Sequence, residues 1–150
     1  MARYSLNKYI LSIKPSNELA SAMNDFGTIS IGGEGSYLDN VSINLDRNMW
    51  NTTGFSTGAW VHTKDLSKTG TVSITLSQLS PEVQRFIRLC ETFYDNDYEG
   101  FTITLSTNDT DRRVISTCID CYIQKIPSQD FASSAGNQTW VFTCGKITFS

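Results

Sequence analysis

The fold is decided by residues 41–89, which read VSINLDRNMWNTTGFSTGAWVHTKDLSKTGTVSITLSQLSPEVQRFIRL. Apolar and polar residues alternate over residues 41–45 and again over residues 72–76, and this period is typical of half-buried β-strands. Ser80 and Pro81 then open a segment in which apolar residues recur every three or four positions, as on one face of a helix. The stretch therefore predicts antiparallel strands followed by a helix.

The helix is expected over residues 81–94. Pro81 suits the first helical position, Ser80 can cap the helix, and Glu82 complements the helix dipole. One apolar stripe runs along it and consists of Val83, Phe86, Ile87, Cys90 and Phe93. Because such a stripe needs a sheet to cover, we expect the helix to pack over one edge or end of the sheet.

Further strands are predicted on both sides of residues 41–89. The complete set of predicted strands is 9–13, 27–31, 41–45, 59–63, 72–76, 101–105, 114–126 and 139–149. The connections are polar turns or loops, which lie at 14–25, 32–36, 47–58, 64–70, 106–113 and 128–138. We expect a mainly β fold, an antiparallel β-sandwich or partial barrel with one flanking helix, as a single domain over residues 1–150.

Charge and hydropathy exclude several classes of protein. The net charge is −3, with lysine and arginine scattered along the chain, whereas a nucleic-acid grip needs a clustered basic surface. No segment approaches the ~20 apolar residues of a transmembrane helix. Polar residues interrupt residues 1–13, so a signal peptide is not expected. The four cysteines would then stay in a reducing cytoplasm, where disulfides are rare.

Cys118 and Cys121 form a C-x-x-C pair, which on a turn or helix would suggest metal or redox chemistry. Here the pair lies within a strand pattern. Residues three apart on a regular strand point to opposite faces, so we expect that the two thiols do not share a metal. All four cysteines are predicted to be reduced thiols without a bound metal.

The other candidate catalytic, metal-binding and phosphate-binding motifs are incomplete. No motif surrounds His62 or Cys90, so a nucleophile–base pair is not predicted. Asp109 and Asp111 lack the further oxygen ligands of a calcium loop, and GGEGS at residues 32–36 lacks the lysine and hydroxyl of a phosphate loop. We therefore expect no catalytic, cofactor-binding or metal residues, and no enzyme.

Trp50 and Phe55 stand out because they lie in a polar segment with no core period. The residues alone leave two interpretations open. Either the two aromatic side chains fold back as a lid on the core of their own subunit, or another subunit buries them.

The order of these segments, over roughly residues 26–148, resembles that of the tail tube proteins of contractile-tailed bacteriophages. The resemblance is carried by VSINLD, RNMWNTTGFSTG, AWVHTKD, SKTG, TVSITLS, the Ser-Pro helix and the closing WVFTCGKITF. It implies a subunit of the inner tail tube, with six copies in a ring around one continuous inner β-barrel. Stacked rings would form the conduit for DNA ejection in the virion tail.

The resemblance also implies partners and contact residues. It implies tail sheath, tape-measure and baseplate proteins as partners, DNA passing through the lumen without specific binding, no cofactor, no membrane, and synthesis in the host bacterial cytoplasm. In this family the long loop after an early strand reaches a neighbouring ring or subunit. Its counterparts here, as inter-subunit contact candidates, are Arg47, Met49, Trp50 and Phe55.

Two alternatives remain. The chain could be the tube protein of a type VI or phage-like injection machine, which shares the fold. It could instead be a monomeric β-sandwich that binds carbohydrate through Trp50, Phe55 and Trp60. Strands with one Ser/Thr face, as at residues 71–75 and 102–104, suit a wide water-filled barrel and also suit an ordinary soluble sheet.

Overall fold

A computed structural model describes residues 5–17, 27–33, 35–107 and 114–149, to which all structural statements here refer. After a 3-10 turn at Leu6–Lys8, the elements are β1 Tyr9–Lys14, β2 Ile29–Gly32, β3 Leu38–Leu45, β4 Trp50–Gly54, β5 Trp60–Lys64, β6 Gly70–Ser77, α1 Glu82–Asp95, β7 Phe101–Thr107, β8 Val114–Ile123 and β9 Asn137–Phe149. The predicted turns at 14–25 and 106–113 lie largely outside the described residues, as do Asp109 and Asp111.

Seven of the strands form one sheet in the order β2-β1-β7-β8-β9-β6-β3. All neighbouring pairs are antiparallel, and the sheet curls into a half-barrel. The predicted mainly β fold with one helix is confirmed. The strand predicted over residues 114–126 ends earlier, at Ile123, although the next residue, Gln124, still donates its N–H to the carbonyl of Val141.

The two faces of the sheet differ in polarity, as the alternation predicts. Val72, Ile74 and Leu76 of β6 are fully buried, while the residues between them lie half-exposed on the opposite face. The register extends the pattern across the sheet, since Ile74 lies opposite Val41 on one side and Trp140 on the other. The apolar face therefore forms one continuous core beneath α1.

The helix α1 covers the middle of the sheet. The ring of Phe86 lies 5.3 Å from that of Trp140 and 5.6 Å from that of Phe142, centroid to centroid. Both partners belong to β9, which lies between β8 and β6. The expected position over an edge or end is therefore wrong. The two rings that Phe86 contacts are in a strand near the centre of the sheet, and the strand order that puts β9 there is not visible in the local pattern.

The start of α1 also differs from the expectation. Pro81 occupies the N-cap position, and no side chain caps the helix. Ser80 is buried, and its hydroxyl donates to the carboxylate of Glu82. A charged acceptor two residues away competes well with a backbone partner, so the predicted Ser80 cap is wrong. Along the predicted stripe, Val83 is buried while Ile87 is half-buried.

Cys118 and Cys121 both lie in the core, so the expectation that they face opposite sides of the sheet is wrong. They stand opposite Ile103 and Phe101 of β7, which are only two residues apart. One extra residue in β8 makes this a β-bulge, and Asp120 within it has a φ of 56°. Before the bulge the even-numbered residues of β8 face the core, and after it the odd-numbered residues do. The thiol of Cys121 therefore returns to the core.

The adjacent strand β9 carries a matching irregularity. Cys144 and Ile147, also three apart, are both buried, and the two residues between them are exposed. The pairing between β8 and β9 keeps one register through the region, with Cys118 opposite Ile147 and Cys121 opposite Cys144. We call this region, residues 118–121 together with 144–147, the paired bulge.

The predicted loop over residues 47–58 contains a strand. Its segment Trp50–Gly54 is β4, which pairs antiparallel with β5 to form a separate two-stranded sheet. Residues 55–59 close the hairpin, with Gly58 at a φ of 93°. The polar composition predicted a loop because no side chain of this hairpin contributes to the core, so the apolar period of a half-buried strand is absent.

Candidate functional site

The hairpin β4–β5 projects from the sheet, and all ten of its strand residues are exposed. Residues directly opposite each other in an antiparallel pair lie on the same face. We call one of these faces the hairpin aromatic face; it comprises Trp50, Thr52, Gly54, Trp60, His62 and Lys64. It places two tryptophans at its opposite ends, without any contact to the core.

Two polar contacts order the hairpin aromatic face. Thr52 Oγ1 and His62 Nδ1 are 2.9 Å apart, within hydrogen-bonding distance. The Nζ atom of Lys64 lies 5.9 Å from the ring centroid of Trp50, close enough for a weak cation–π attraction. The hairpin is therefore an ordered arm with an aromatic surface.

The four predicted contact residues are spread along this arm. Met49 lies at its base, Trp50 at the start of β4, and Phe55 at its tip, where its N–H donates to the carbonyl of Ala59. Trp50 is 56% exposed and Phe55 is 53% exposed. Neither side chain folds back on the core. The interpretation of Trp50 and Phe55 as a lid on their own subunit is therefore wrong.

The fourth residue, Arg47, helps to hold the base of the hairpin. Its Nη1 lies 3.3 Å from Oδ2 of Asp65. The other carboxylate oxygen of Asp65 accepts the backbone N–H of Ser67 at 2.9 Å, and the N–H of Asp65 donates to the carbonyl of Met49 at 2.9 Å. Asp65 thus ties both ends of the hairpin to the turn that leads into β6.

These contacts shift the titration of Asp65. The N–H of Ser67, and then Arg47, hold the pKa of this carboxyl below its ordinary value. A lowered pKa in the folded state means that the contribution of the carboxylate is complete at neutral pH and is lost as the pH falls through that lowered pKa.

We predict that replacing Arg47 by glutamine raises the pKa of Asp65 only partly toward its ordinary value. The N–H of Ser67 remains in the variant, and it makes the larger contribution. Titration of the side-chain carboxyl by ¹³C NMR, in the variant and in the wild-type protein, measures the change. An unchanged pKa of Asp65 would show that the ion pair does not persist in solution.

A cleft of about 380 Å³ opens beside the hairpin base. Apolar side chains from the hairpin base, the following turn and the end of β9 line it, with the ion pair of Arg47 and Asp65 among the lining groups. Leu66 in this turn is 81% exposed. The cleft and the exposed leucine form an apolar surface next to the edge strand β3, large enough to accept a side chain from another molecule.

The described sheet has an edge strand on each side, β2 on one and β3 on the other. Within the described residues, β2 pairs only with β1 and β3 pairs only with β6. An edge strand presents unpaired backbone N–H and C=O groups, which soluble monomers cover or interrupt. Strand β3 is eight residues long, so it offers a long edge for pairing.

The face of the sheet opposite the core is rich in hydroxyl and amide groups. The register aligns them in rows across the strands, such as Asn40–Thr75–Thr139 and Ser12–Thr104–Thr117–Thr148. The hydroxyls of Thr75 and Thr139 are 3.1 Å apart. We call this surface the hydroxyl face. It can be hydrated without strong attraction for either sign of charge.

The described part of the chain does not assemble an obvious catalytic centre. His62 lies on the exposed hairpin, whereas Cys90 is buried on α1, so the two are not paired. No group of three or more His, Cys, Asp or Glu side chains among the described residues is arranged to hold a metal ion. In the same residues, no helix has the length and apolar character needed to cross a membrane.

Sequence reasoning grouped Trp50 with Trp60 only in the carbohydrate-binding alternative. It missed the strand pairing that places them on one hairpin face, because it assigned Trp50 to a loop. A usable signal existed. Residues 50–54 read WNTTG, in which tryptophan and threonine favour strands, and Gly58 supplies the positive φ of a short hairpin turn. The exposed Leu66 carried no such signal, since single exposed leucines are common.

The fold is found in solved structures of contractile injection systems. The chain is similar to the anti-feeding prophage cap, a tube-terminating cap, at 12% identity and a TM-score of 0.59, covering 100% of this chain and 93% of that chain. It is similar to the PVC sheath/tube terminator in the extended state at 13% identity and a TM-score of 0.61, covering 100% and 98%. It is similar to the PVC sheath–tube complex in the extended state at 14% identity and a TM-score of 0.60, covering 99% of this chain and 91% of that chain.

At 12–14% identity these likenesses concern the fold alone. A family model described as bacteriophage PhiTE tail tube protein matches residues 16–150. The chain therefore belongs to the bacteriophage PhiTE tail tube protein family, a family of structural tube proteins. The resemblance derived from the sequence is confirmed. No curated protein matches the chain.

Proposed function

We propose that this chain is the subunit of an inner tail tube in which six copies close a ring, the rings stack, and DNA passes through the lumen during ejection. The observation that carries the proposal is that, among the described strands, β2 and β3 each leave one side unpaired on one curled sheet. Pairing an edge of one subunit with its neighbour is a heterologous contact, which closes into a ring when the rotation fits. Ring closure also removes the exposed edges.

The hydroxyl face is the proposed wall of the lumen. A conduit for a polyanion must not hold it, and the rows of serine, threonine and asparagine offer no concentrated positive charge. The net charge of −3 acts in the same direction, since like charges repel. DNA would accordingly pass without specific binding.

Stacking is assigned to the hairpin. Arg47, Met49, Trp50 and Phe55 lie along an arm that the core of its own subunit leaves exposed. Burial of these side chains by a subunit of the next ring would remove apolar surface from water, which favours association. Outside the tube we expect the tail sheath, inside it the tape-measure protein, and at its end the baseplate, all within the virion tail after synthesis in the host cytoplasm.

The assembly prediction is tested on the purified protein. We expect hexameric rings, and at higher concentration hollow tubes, by negative-stain microscopy, with the corresponding masses by light scattering. Stacking is open-ended, so a mixture of rings and tubes agrees with the proposal. A strictly monomeric protein at high concentration, without rings or tubes, contradicts it.

The likeness to injection-system structures supports a second candidate, the tube of a phage-like or type VI injection machine that delivers protein. Assembly would look the same, so the genes beside this one decide. Capsid and terminase genes near the tail genes favour a phage, and toxin cargo genes favour an injection particle. A monomeric carbohydrate-binding module would instead remain a monomer and bind glycans through the hairpin aromatic face.

A further inference from the structure

The paired bulge brings two thiols into contact. The Sγ atoms of Cys121 and Cys144 are 3.0 Å apart, and the two residues are direct register partners on β8 and β9. Disulfides require Cα atoms about 4.4–6.8 Å apart, a separation that directly opposed residues of an antiparallel pair meet. No backbone movement is therefore needed to join these sulfurs.

The pattern of backbone hydrogen bonds between β8 and β9 also favours a disulfide between Cys121 and Cys144. The N–H of Gln124 donates to the carbonyl of Val141, which makes these two residues a hydrogen-bonded pair. Such pairs alternate with non-hydrogen-bonded ones along an antiparallel ladder. Three positions along, Cys121 and Cys144 therefore form a non-hydrogen-bonded pair, the type in which opposed side chains lie closest together.

The third thiol of this region is less well placed. Cys118 lies opposite Ile147, so its relation to Cys144 is diagonal across the ladder. Its thiol also contacts that of Cys144 and has the hydroxyl of Ser116 at 3.9 Å, but Cys118 is not the register partner of Cys144. The fourth cysteine, Cys90, is on α1, apart from the ladder. The geometry thus selects one pair among the four thiols.

We propose that Cys121 and Cys144 form an oxidisable dithiol, which a peroxide converts into a disulfide within one subunit. The thiolate of Cys144 attacks one oxygen of hydrogen peroxide, forms a sulfenic acid and releases hydroxide, which is protonated to water. The thiolate of Cys121 then attacks the sulfur of Cys144, the S–S bond forms, and the hydroxyl group leaves as a second water. Two electrons pass from the sulfurs to the peroxide, and both thiol protons end in water.

Burial sets the speed and order of this reaction. Cys144 is 5% exposed and Cys121 is 0% exposed, so the peroxide reaches Cys144 first. The thiol of Cys118 lowers the pKa of Cys144, but contact with Cys121 and burial outweigh it and raise this pKa to about 12. Cys144 is therefore mostly protonated at neutral pH, and oxidation is slow. The pair stays reduced in a cytoplasm and oxidises during long exposure outside one.

The experiment maps thiols in the isolated wild-type subunit before and after prolonged incubation with hydrogen peroxide. The protein is denatured, alkylated with iodoacetamide and digested with trypsin. We expect two of the four thiols to become unreactive, and peptide 114–125 to be linked to peptide 126–146, with fragmentation placing the link on Cys121. The oxidised subunit should melt about 5–10 °C higher, because the cross-link restricts the unfolded chain.

Two single variants provide the controls. Cys118→Ala should retain the link, and Cys121→Ala should lose both the link and the rise in Tm. Four alkylated thiols after incubation, a link through Cys118, links between subunits, or sulfinic acid at Cys144 without a disulfide would each overturn the proposal. The readout uses free subunits, so it succeeds or fails independently of tube assembly.

Discussion

Replacing Phe86 by aspartate is expected to prevent the subunit from folding. The Phe86 side chain is fully buried, and its ring contacts Trp140 and Phe142 at the centre of the sheet. The variant would bury a carboxylate among aromatic rings without a partner, at a cost of several kcal/mol. A domain stability of about 5–15 kcal/mol does not tolerate this together with the lost packing. Circular dichroism and the soluble yield measure the outcome.

The matched control is Gln84→Asp, which introduces the same side chain on the exposed side of the same helix. This variant should fold, with a stability change within about 0.5 kcal/mol, as for most surface substitutions. A soluble, cooperatively melting Phe86→Asp protein would show that α1 does not cover the core. The milder Phe86→Ala variant should lose about 3–5 kcal/mol on urea unfolding.

The double change Trp50→Ala with Phe55→Ala is expected to abolish tubes while the subunit still folds. Both side chains lie on the exposed hairpin and contribute nothing to the core. Removing them deletes the aromatic anchors of the proposed stacking contact, and such anchors typically carry about 2 kcal/mol or more of an interface each. Microscopy counts tubes, and urea unfolding of the free subunit reports its stability.

The opposite face of the same arm offers the control. Asn51→Ala with Thr53→Ala changes two exposed residues of β4 that point away from the hairpin aromatic face, and this variant should still form tubes. A loss of about 3–5 kcal/mol in the free subunit carrying the aromatic double change would mark its side chains as core residues. Normal tubes from that variant would place the stacking contact elsewhere.

Local patterns predicted those strands whose two faces meet different surroundings. In β6, Val72, Ile74 and Leu76 contact the core while the intervening hydroxyls face outward. Apolar and polar residues therefore alternate along its sequence. The apolar stripe of α1 was visible for the same reason. These patterns depend only on neighbours along the chain, which a sequence displays directly.

The structural features that were not predicted depend on contacts between residues distant in sequence. No local pattern reveals that β9 lies near the middle of the sheet or that α1 crosses it. The two thiols of the C-x-x-C pair share one face only because β8 gains a residue relative to β7. Strand β4 lacked the expected period because neither of its faces meets the core of its own subunit, and that exposure is the reason we propose it as an assembly surface.

The paired bulge has a consequence for how the length of this chain can vary. Asp120 and Gly145 stand at equivalent points of two neighbouring strands, each of which gains one residue there while their shared register is kept. Deleting only one of the two residues would slip β8 against β9 by one position and send the following side chains to the wrong face. Deleting both would keep every later pair of the two strands aligned. Insertions and deletions at these two positions should therefore occur together.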